Sequence, residues 1–375
     1  MAVTLFAAAA TVPTGVIVDD VRSEAETAQG YSLYLPSAYT PARAWPVIFA
    51  FDPRARGRTP VERYQAAAEK FGYIVAGSNN SRNGAVASSN QAAAMAADAG
   101  KRFQIDPKRI YAAGMSGGAR VAMGLALSSE MIAGVIDSSA AYPDGKLRKT
   151  VPFVVFGTAG VEDFNHHEMR ELDRTLNSPH RVAIFEGGHV WLPSELAIEA
   201  VEWITLQAMA SGRTARNNEW IHQAYTARLA SADQPSGARA VVALDAIVAG
   251  FGEFQDVAPI ATRTAVLRKD KAVREAFKRE LAEDQNERRK MNETFSLERQ
   301  LEDRDTRPQA LSQLRDAWKR LNADSAAASD SPDRRIARRM SWSLGMAVSE
   351  STPDSEYRKI VAEFAPKPPG RSIPR

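Results

Sequence analysis

Tyr111-Ala112-Ala113-Gly114-Met115-Ser116-Gly117-Gly118-Ala119-Arg120 is the stretch on which the fold turns. It begins at the end of a short apolar run, Ile110 to Ala113, and passes into an Ala/Leu/Met-rich segment, Val121 to Leu127. Between the two lies Gly114-Met115-Ser116-Gly117-Gly118, a match to G-x-S-x-G. A strand that reverses sharply into a helix needs small residues on both sides of the turn, and the central Ser is then pushed into the open. The five-residue pattern alone is weak, because Gly-rich turns that only pack also fit it. Its context, strand before and helix after, is what makes Ser116 a candidate nucleophile.

Outward from this turn the chain alternates strand and helix. On the N-terminal side, Val16 to Val21 and Tyr31 to Leu35 have the alternation of half-buried strands. Pro46 to Phe51 is a continuous apolar run of strand length, as expected of a strand covered on both faces. A loop at 52–57, a helix from Thr59/Pro60 to about Phe71, a strand at 72–77, a polar loop at 78–84 and a helix from about Asn90 to Phe103 complete that side. On the C-terminal side come a strand at 133–137 and, after a short link through Pro143 and Gly145, another at 151–156. A loop at 157–164, a helix to about Leu176, a strand from Arg181 to Glu186, a Gly187-Gly188 turn and a helix from Pro193 to about Ala208 follow. This order predicts an α/β fold with a mostly parallel sheet wrapped on both faces. In such sheets ligands bind at the carboxyl ends of the strands, where Ser116 and the loops at 52–57, 78–84, 157–164 and 187–191 all lie.

A serine hydroxyl is a poor nucleophile until a base takes its proton, and the base needs an acid to fix its tautomer. Of the five histidines, His189 is the candidate base: it sits in Glu186-Gly187-Gly188-His189-Val190-Trp191, directly after the last strand. His222 lies far along the chain, and His180 enters a strand after Pro179. His166 and His167 begin a helix near the site, and His166 is assigned to the substrate side. For the acid, the loop Gly157 to Asn165 offers Asp163, with Glu162 as rival and a helix-capping role as the bland reading of Asp163. Trp191 and Tyr142 are candidate walls of a substrate pocket, although Trp191 would equally serve to pack the last helix.

With these motifs in view, residues of about 30–207 resemble an α/β-hydrolase-fold serine esterase. They are most similar to the bacterial carboxylesterase/phospholipase-like, feruloyl-esterase-like and poly(3-hydroxybutyrate)-depolymerase-like enzymes. The residues that carry the resemblance are Gly114 to Ala119, the Gly157-Thr158 loop ending in Asp163-Phe164-Asn165, and Gly187 to Trp191. The order Ser116…Asp163…His189 is the one this fold uses. The resemblance implies ester hydrolysis through an acyl-enzyme, with no metal or organic cofactor. It also implies an oxyanion hole made by the N–H of Gly117 and an N–H from the loop after the 46–51 strand. Here the chain departs from the family, whose strand ends in His-Gly and more glycine; this one ends Phe51-Asp52-Pro53-Arg54. Pro53 has no N–H, so Arg54 is the expected second donor. Asp52, in the place of the usual His, is expected near the substrate, tying down the loop through Arg54 or Arg56, or acting as a plain turn former before Pro.

The two halves of the 375-residue chain differ in charge. Residues 1–207 carry 19 basic and 21 acidic side chains, whereas 208–375 carry 29 and 24 in a shorter span. The second part therefore reads as an all-helical region with a solvated surface. Expected helices run over 220–230, 238–251, 257–267, 270–301, 308–321 and 334–348, without a convincing internal repeat. The expected organisation is a leader-like or frayed segment at 1–15, a catalytic domain at 16–210, a helical domain at 217–364 and a loose Pro-rich tail at 365–375. A net charge of +3 is too small to argue for nucleic acid or an anionic membrane. No stretch is apolar enough for a membrane span. The absence of cysteine excludes disulfides, thiol nucleophiles and thiolate metal sites. The apolar N-terminus lacks a basic region, and slightly favours a secreted or periplasmic setting over the cytoplasm.

The short link between the 133–137 and 151–156 strands leaves almost no lid, which predicts an open site for bulky aromatic (feruloyl-type) or polymeric esters unless the C-terminal helices cover it. A serine peptidase or amidase with the same triad, and a non-catalytic interaction protein with a hydrolase-like domain, are the alternatives. The helical region is the candidate surface for self-association or a protein partner.

Overall fold

The structure, a computed structural model, describes residues 12–83, 88–351 and 354–365, with only the backbone of 89 and 349–351. The leader-like segment through residue 11, Gly84 at the end of the 78–84 loop, and the tail from 366 lie outside the described residues.

Eight strands form one sheet: β1 (Ile17–Arg22), β2 (Gly30–Tyr34), β3 (Trp45–Phe51), β4 (Ile74–Ser78), β5 (Ile105–Met115), β6 (Ile132–Ser138), β7 (Val154–Gly160) and β8 (His180–Phe185). Their order is β1-β2-β4-β3-β5-β6-β7-β8. The sheet is parallel from β4 through β8, and β2 runs antiparallel to both β1 and β4. The crossovers use α1 (Arg58–Phe71), α2 (Ser88–Arg102), α3 (Gly117–Ser128) and α4 (His166–Thr175), and α5 (Ser194–Ala210) follows β8. Only the 139–153 link between β6 and β7 lacks a helix, as the sequence predicts.

The wholly buried strands β2, β3 and β4 explain their continuous apolar runs: side chains leave both faces of the sheet and meet helices on each. On one face Val47, Phe49 and Val135 pack with Met95 of α2, Met123 of α3 and Leu172 of α4. On the other, Ile48, Val75 and Ile136 pack with Tyr64 of α1 and Val201 and Ile204 of α5. After β3 the chain builds to one side through β4, then crosses to β5 on the other. That reversal opens a crevice at the carboxyl ends of β3 and β5, where Ser116 follows β5.

β7 runs to Gly160, beyond the predicted end at Phe156. Gly157, Thr158 and Ala159 continue the register with β8, and the Thr158 hydroxyl donates to Ser138 Oγ at 3.0 Å, so their polarity does not signal a loop. The acid-bearing loop is correspondingly shorter.

Beyond α5 every described element is helical: α6 (Asn218–Ala232), α7 (Gly237–Phe251), α8 (Ala258–Leu267), α9 (Lys271–Arg299), α10 (Arg307–Ser325), α11 (Pro332–Ser351) and α12 (Ser355–Phe364). Two apolar clusters organise them. Leu244, Ile247, Phe251 and Ile260 extend the α5 residues Leu206 and Met209 into α6–α8. Leu314, Trp318, Ile336, Met340, Tyr357 and Ile360 tie α10, α11 and α12. The last helix was not foreseen; Asp354, whose Oδ1 accepts from the N–H groups of Glu356 and Tyr357, is the capping signal that marks its start. No helix among the described residues is long and apolar enough to cross a membrane.

Candidate active site

Ser116 occupies the turn between β5 and α3 with φ 55° and ψ −122°, a region that a side chain avoids unless its surroundings hold it there. Its N–H is fixed by Ser138 O at 2.8 Å. The turn closes because Gly114 and Gly118 touch: a Cβ on Gly114 would lie 2.2 Å from the Gly118 backbone. Ala55 after β3, Ser116 after β5 and Ser139 after β6 are the non-glycine residues with positive φ among those described, and all lie at the same edge of the sheet. Backbone strain is thus gathered at the carboxyl end, where functional sites of such sheets lie.

Asp163 and His189 meet because the loops after β7 and β8 press backbone to backbone. A Cβ on Gly160 would be 2.3 Å from Gly187 O, so only glycine allows the approach. Asp163, with no exposed surface, accepts from His189 Nδ1 at 2.8 Å and from the Asn165 N–H at 2.8 Å through the same Oδ1. Asn165, not Asp163, is the N-terminal cap position of α4. Glu162 points the other way and pairs with Arg334 and Arg338 of α11 at 3.2 and 2.6 Å. The Phe164 ring stacks on the His189 imidazole with centroids 3.9 Å apart. With Nδ1–H held by Asp163, Nε2 is left as the basic nitrogen. No hydrogen bond joins Ser116 Oγ to His189 Nε2.

The loop after β3 departs from expectation. The Arg54 N–H donates to Asp52 Oδ1 at 2.9 Å, so it is satisfied inside its own loop and does not face an oxyanion. Asp52 is wholly buried and also accepts from Arg56 Nε and Nη2 at 3.0 Å each and from Trp191 Nε1 at 2.9 Å. Burial alone would raise its pKa, but the Arg56, Trp191 and Arg54 donors outweigh it and hold the carboxyl below the ordinary carboxylate range. Asp52 therefore ties down the loop after β3 through Arg54 and Arg56, one of the roles expected of it, and braces that loop against the His189 loop through Trp191. Trp191, 6% exposed and edge-on to Tyr64, is the other half of that brace and not a pocket wall.

Tyr142 is likewise core: it is 2% exposed, with Arg148 over its ring, and offers no surface to a ligand. The His166 ring lies behind the acid loop, with Nδ1 3.1 Å from Gly160 O, and lines the gap toward the helical region instead of the Ser116 crevice. Burial and the nearby Arg339 charge pull its pKa down to about 4, so the ring is neutral. His180 is engaged with Ser178 O and Asp173 O.

Three features escaped the sequence reading. Asn83, from the 78–84 loop, lays its amide against Gly117, so that a Cβ there would be 1.7 Å from Asn83 Oδ1. Its N–H donates to Pro53 O at 2.9 Å, joining two loops of the crevice. Asp137, at the end of β6, is wholly buried with neither carboxylate oxygen hydrogen-bonded among the described residues, and burial pushes its pKa well up. Finally, α9 and α11 grip the acid loop. Arg339 binds Glu287 of α9 through Nε (3.1 and 3.0 Å) and Nη2 (2.6 Å), and its Nη1 donates to Val161 O. The Arg334/Arg338 spacing on one helix face, which meets Glu162, is the sequence signal that could have found this contact.

No protein-family model and no curated protein sequence matches the chain. Among solved structures it is similar to FphF, a fluorophosphonate-binding serine hydrolase of Staphylococcus aureus, with TM-score 0.41 and 14% identity over 51% of this chain and 99% of that one. It is similar to a ferulic acid esterase, with TM-score 0.41 and 15% identity over 51% and 97%. It is also similar to an S-formylglutathione hydrolase of Agrobacterium tumefaciens, with TM-score 0.40 and 14% identity over 50% and 93%. The fold assignment rests on the chain itself: a mostly parallel, helix-wrapped sheet, a strained Ser between strand and helix, and an acid and a His after successive later strands make the α/β-hydrolase arrangement.

Proposed function

We propose that the protein is a serine hydrolase of carboxylic esters. The observation that carries this reading is the buried Asp163–His189 pair at 2.8 Å, on loops joined at Gly160–Gly187, at the same end of the sheet as a Ser116 held at positive φ. Ser116 Oγ attacks the ester carbonyl as its proton passes to His189 Nε2, and Asp163 stabilises the imidazolium through Nδ1–H. The tetrahedral oxyanion is met by the Gly117 N–H at the first turn of α3, where the helix dipole adds positive potential. The second donor is assigned to Nδ2–H of Asn83, whose amide lies against Gly117 with Oδ1 as its nearest atom, in place of the Arg54 N–H that Asp52 retains. Collapse of the intermediate breaks the ester C–O bond as His189 returns the proton to the leaving alcohol. Water, deprotonated by the same ring, then releases the acid and restores Ser116.

The near-absence of a lid between β6 and β7 favours bulky acyl or alcohol groups, aromatic esters and polyesters among them. The test is labelling by a fluorophosphonate probe together with turnover of aryl esters and of peptide amides. Ser116→Ala is expected to abolish labelling and lower kcat by at least roughly 10⁴-fold. Labelling that persists in Ser116→Ala, or amide turnover that exceeds ester turnover, would overturn the proposal.

A further inference from the structure

Phe164 follows Asp163 directly, and its ring lies on the His189 imidazole with centroids 3.9 Å apart and planes 29° from parallel. It is a large, partly buried apolar side chain, yet it joins none of the four apolar clusters among the described residues. Elsewhere it borders a cavity of about 450 Å³ whose lining is mixed, from Met291 and Phe295 to Glu287, Arg288 and Asn292. A ring placed to fill the interior would be close-packed in a core, not set between an imidazole and a space.

The loop fixes Phe164 from both sides. Before it, the Asp163 N–H donates to Gly160 O at 3.1 Å. After it, the Asn165 N–H donates to Asp163 Oδ1 at 2.8 Å, and Asn165 Nδ2 donates to Ser139 O at 2.6 Å. The His166 N–H closes the turn on Asp163 O at 2.8 Å. Between two such anchors the Phe164 backbone has little freedom to carry its ring away from the imidazole.

Asp163 and Phe164 constrain different degrees of freedom of the same ring. The bond from Nδ1 to Asp163 Oδ1 holds one atom at 2.8 Å, and the broad torsion next to the ring still lets the imidazole plane turn. A face-to-face neighbour opposes that turn, because rotation lifts one ring off the other. The negative face of an aromatic ring also attracts a cation more than a neutral ring.

Resting on the ester-hydrolase reading, we infer that Phe164 is a positioning residue for the base: it sets the plane of the His189 ring, and so the direction of Nε2, and it stabilises the imidazolium that forms as Ser116 gives up its proton. An interaction stronger with the imidazolium than with the neutral ring acts on kcat and not on substrate binding. The test compares Phe164→Leu and Phe164→Met, which stay apolar without a π face, with Phe164→Tyr, which keeps the face, all in the full chain on one aryl ester. Both aliphatic variants are expected to lower kcat roughly tenfold with KM within about twofold, and Phe164→Tyr to stay within about threefold of the parent. In NMR spectra of the folded parent, the His189 ring protons should lie upfield of their position in the unfolded chain, shielded by the Phe164 ring; this reading needs no variant to fold. A folded aliphatic variant with the parent's kcat, a Tyr variant that loses as much kcat as the aliphatic ones, or His189 ring protons without an upfield shift overturns the role. If Ser116 of the parent takes a fluorophosphonate label while any of these occurs, only the role of Phe164 fails; if it takes no label, the hydrolase reading fails with it.

Discussion

Arg339→Met tests the claim that the helical region holds the loop of Asp163, the proposed acid, in place. Arg339 is 5% exposed and Glu287 is 7% exposed, so removing the guanidinium leaves a buried carboxylate alone. Breaking such a pair from one side costs about 3–5 kcal/mol. The Val161 carbonyl also loses its charged donor, worth about 1.5–3 kcal/mol where water cannot replace it. The two losses share one side chain and overlap, which sets the expected destabilisation near 4 kcal/mol, or roughly 8–15 °C in the transition that includes α9 and α11. The double variant Arg339→Met with Glu287→Met separates them. It replaces the buried ion pair by apolar side chains, a change that is often neutral, and leaves only the Val161 loss of about 1–3 kcal/mol. Catalysis should not recover in step with stability, because Val161 stands two residues before Asp163 and is unclamped in both variants. The assay is thermal and urea unfolding beside kcat/KM for one ester. A single variant that loses less than about 1 kcal/mol, or a double variant whose activity returns fully to the parent's, refutes the clamp.

Three further outcomes follow from the same structure. Asn83→Ala should lower kcat roughly 10²–10³-fold with little change in KM, the effect of removing one oxyanion donor; a loss under about threefold removes Asn83 from the site. Asp137 has a folded pKa above its unfolded value, so its contribution is fully present below about pH 3.8 and is lost as pH rises; Asp137→Asn should therefore gain on the parent by up to ~1.4 kcal/mol per pH unit above that point, and urea midpoints that run parallel from pH 4 to 7 would contradict it. His166 has the opposite sign: its folded pKa of about 4 lies below the ordinary 6.5, so stability present above pH 6.5 should fall by about 3 kcal/mol on acidification to pH 4, and His166→Gln should flatten that limb of the stability profile.

What was legible in the sequence was whatever a local rule enforces. The parallel strands showed because a strand covered on both faces has to be apolar throughout, as Pro46 to Phe51 is. The turn at Ser116 showed because strand and helix cannot approach there without Gly114 and Gly118. The approach of the loops after β7 and β8 was not read from the sequence, although Gly160 and Gly187 are the residues that permit it. Asp163 and Glu162, in contrast, differ by one position on a loop. Which of them faces His189 is settled by Arg334 and Arg338, more than 170 residues away in sequence, which draw Glu162 outward.

The misreadings share a pattern. Asp52, Trp191, Tyr142 and His166 were placed near substrate, yet each is turned inward; for Asp52 and Trp191 it is the other role read for them, bracing the loop and packing, that the structure has. Asp52 and Trp191 bond to each other at 2.9 Å, joining the loop after β3 to the loop that carries the base. The glycine-rich loop of the family would stabilise an oxyanion with its own backbone. Here the Asp52 carboxylate consumes the Arg54 N–H and stiffens the loop through Arg56 and Trp191 instead. A loop so braced has exchanged a free donor for rigidity, and the donor must come from elsewhere on the rim. In the proposed mechanism that donor is Asn83, joined to the loop at Pro53 O and pressed on Gly117. Under the proposed mechanism the departure at Phe51-Asp52-Pro53-Arg54 and the position of Asn83 are two sides of one substitution, in which a side chain takes over the work of a backbone, and Asn83→Ala is the variant that tests it.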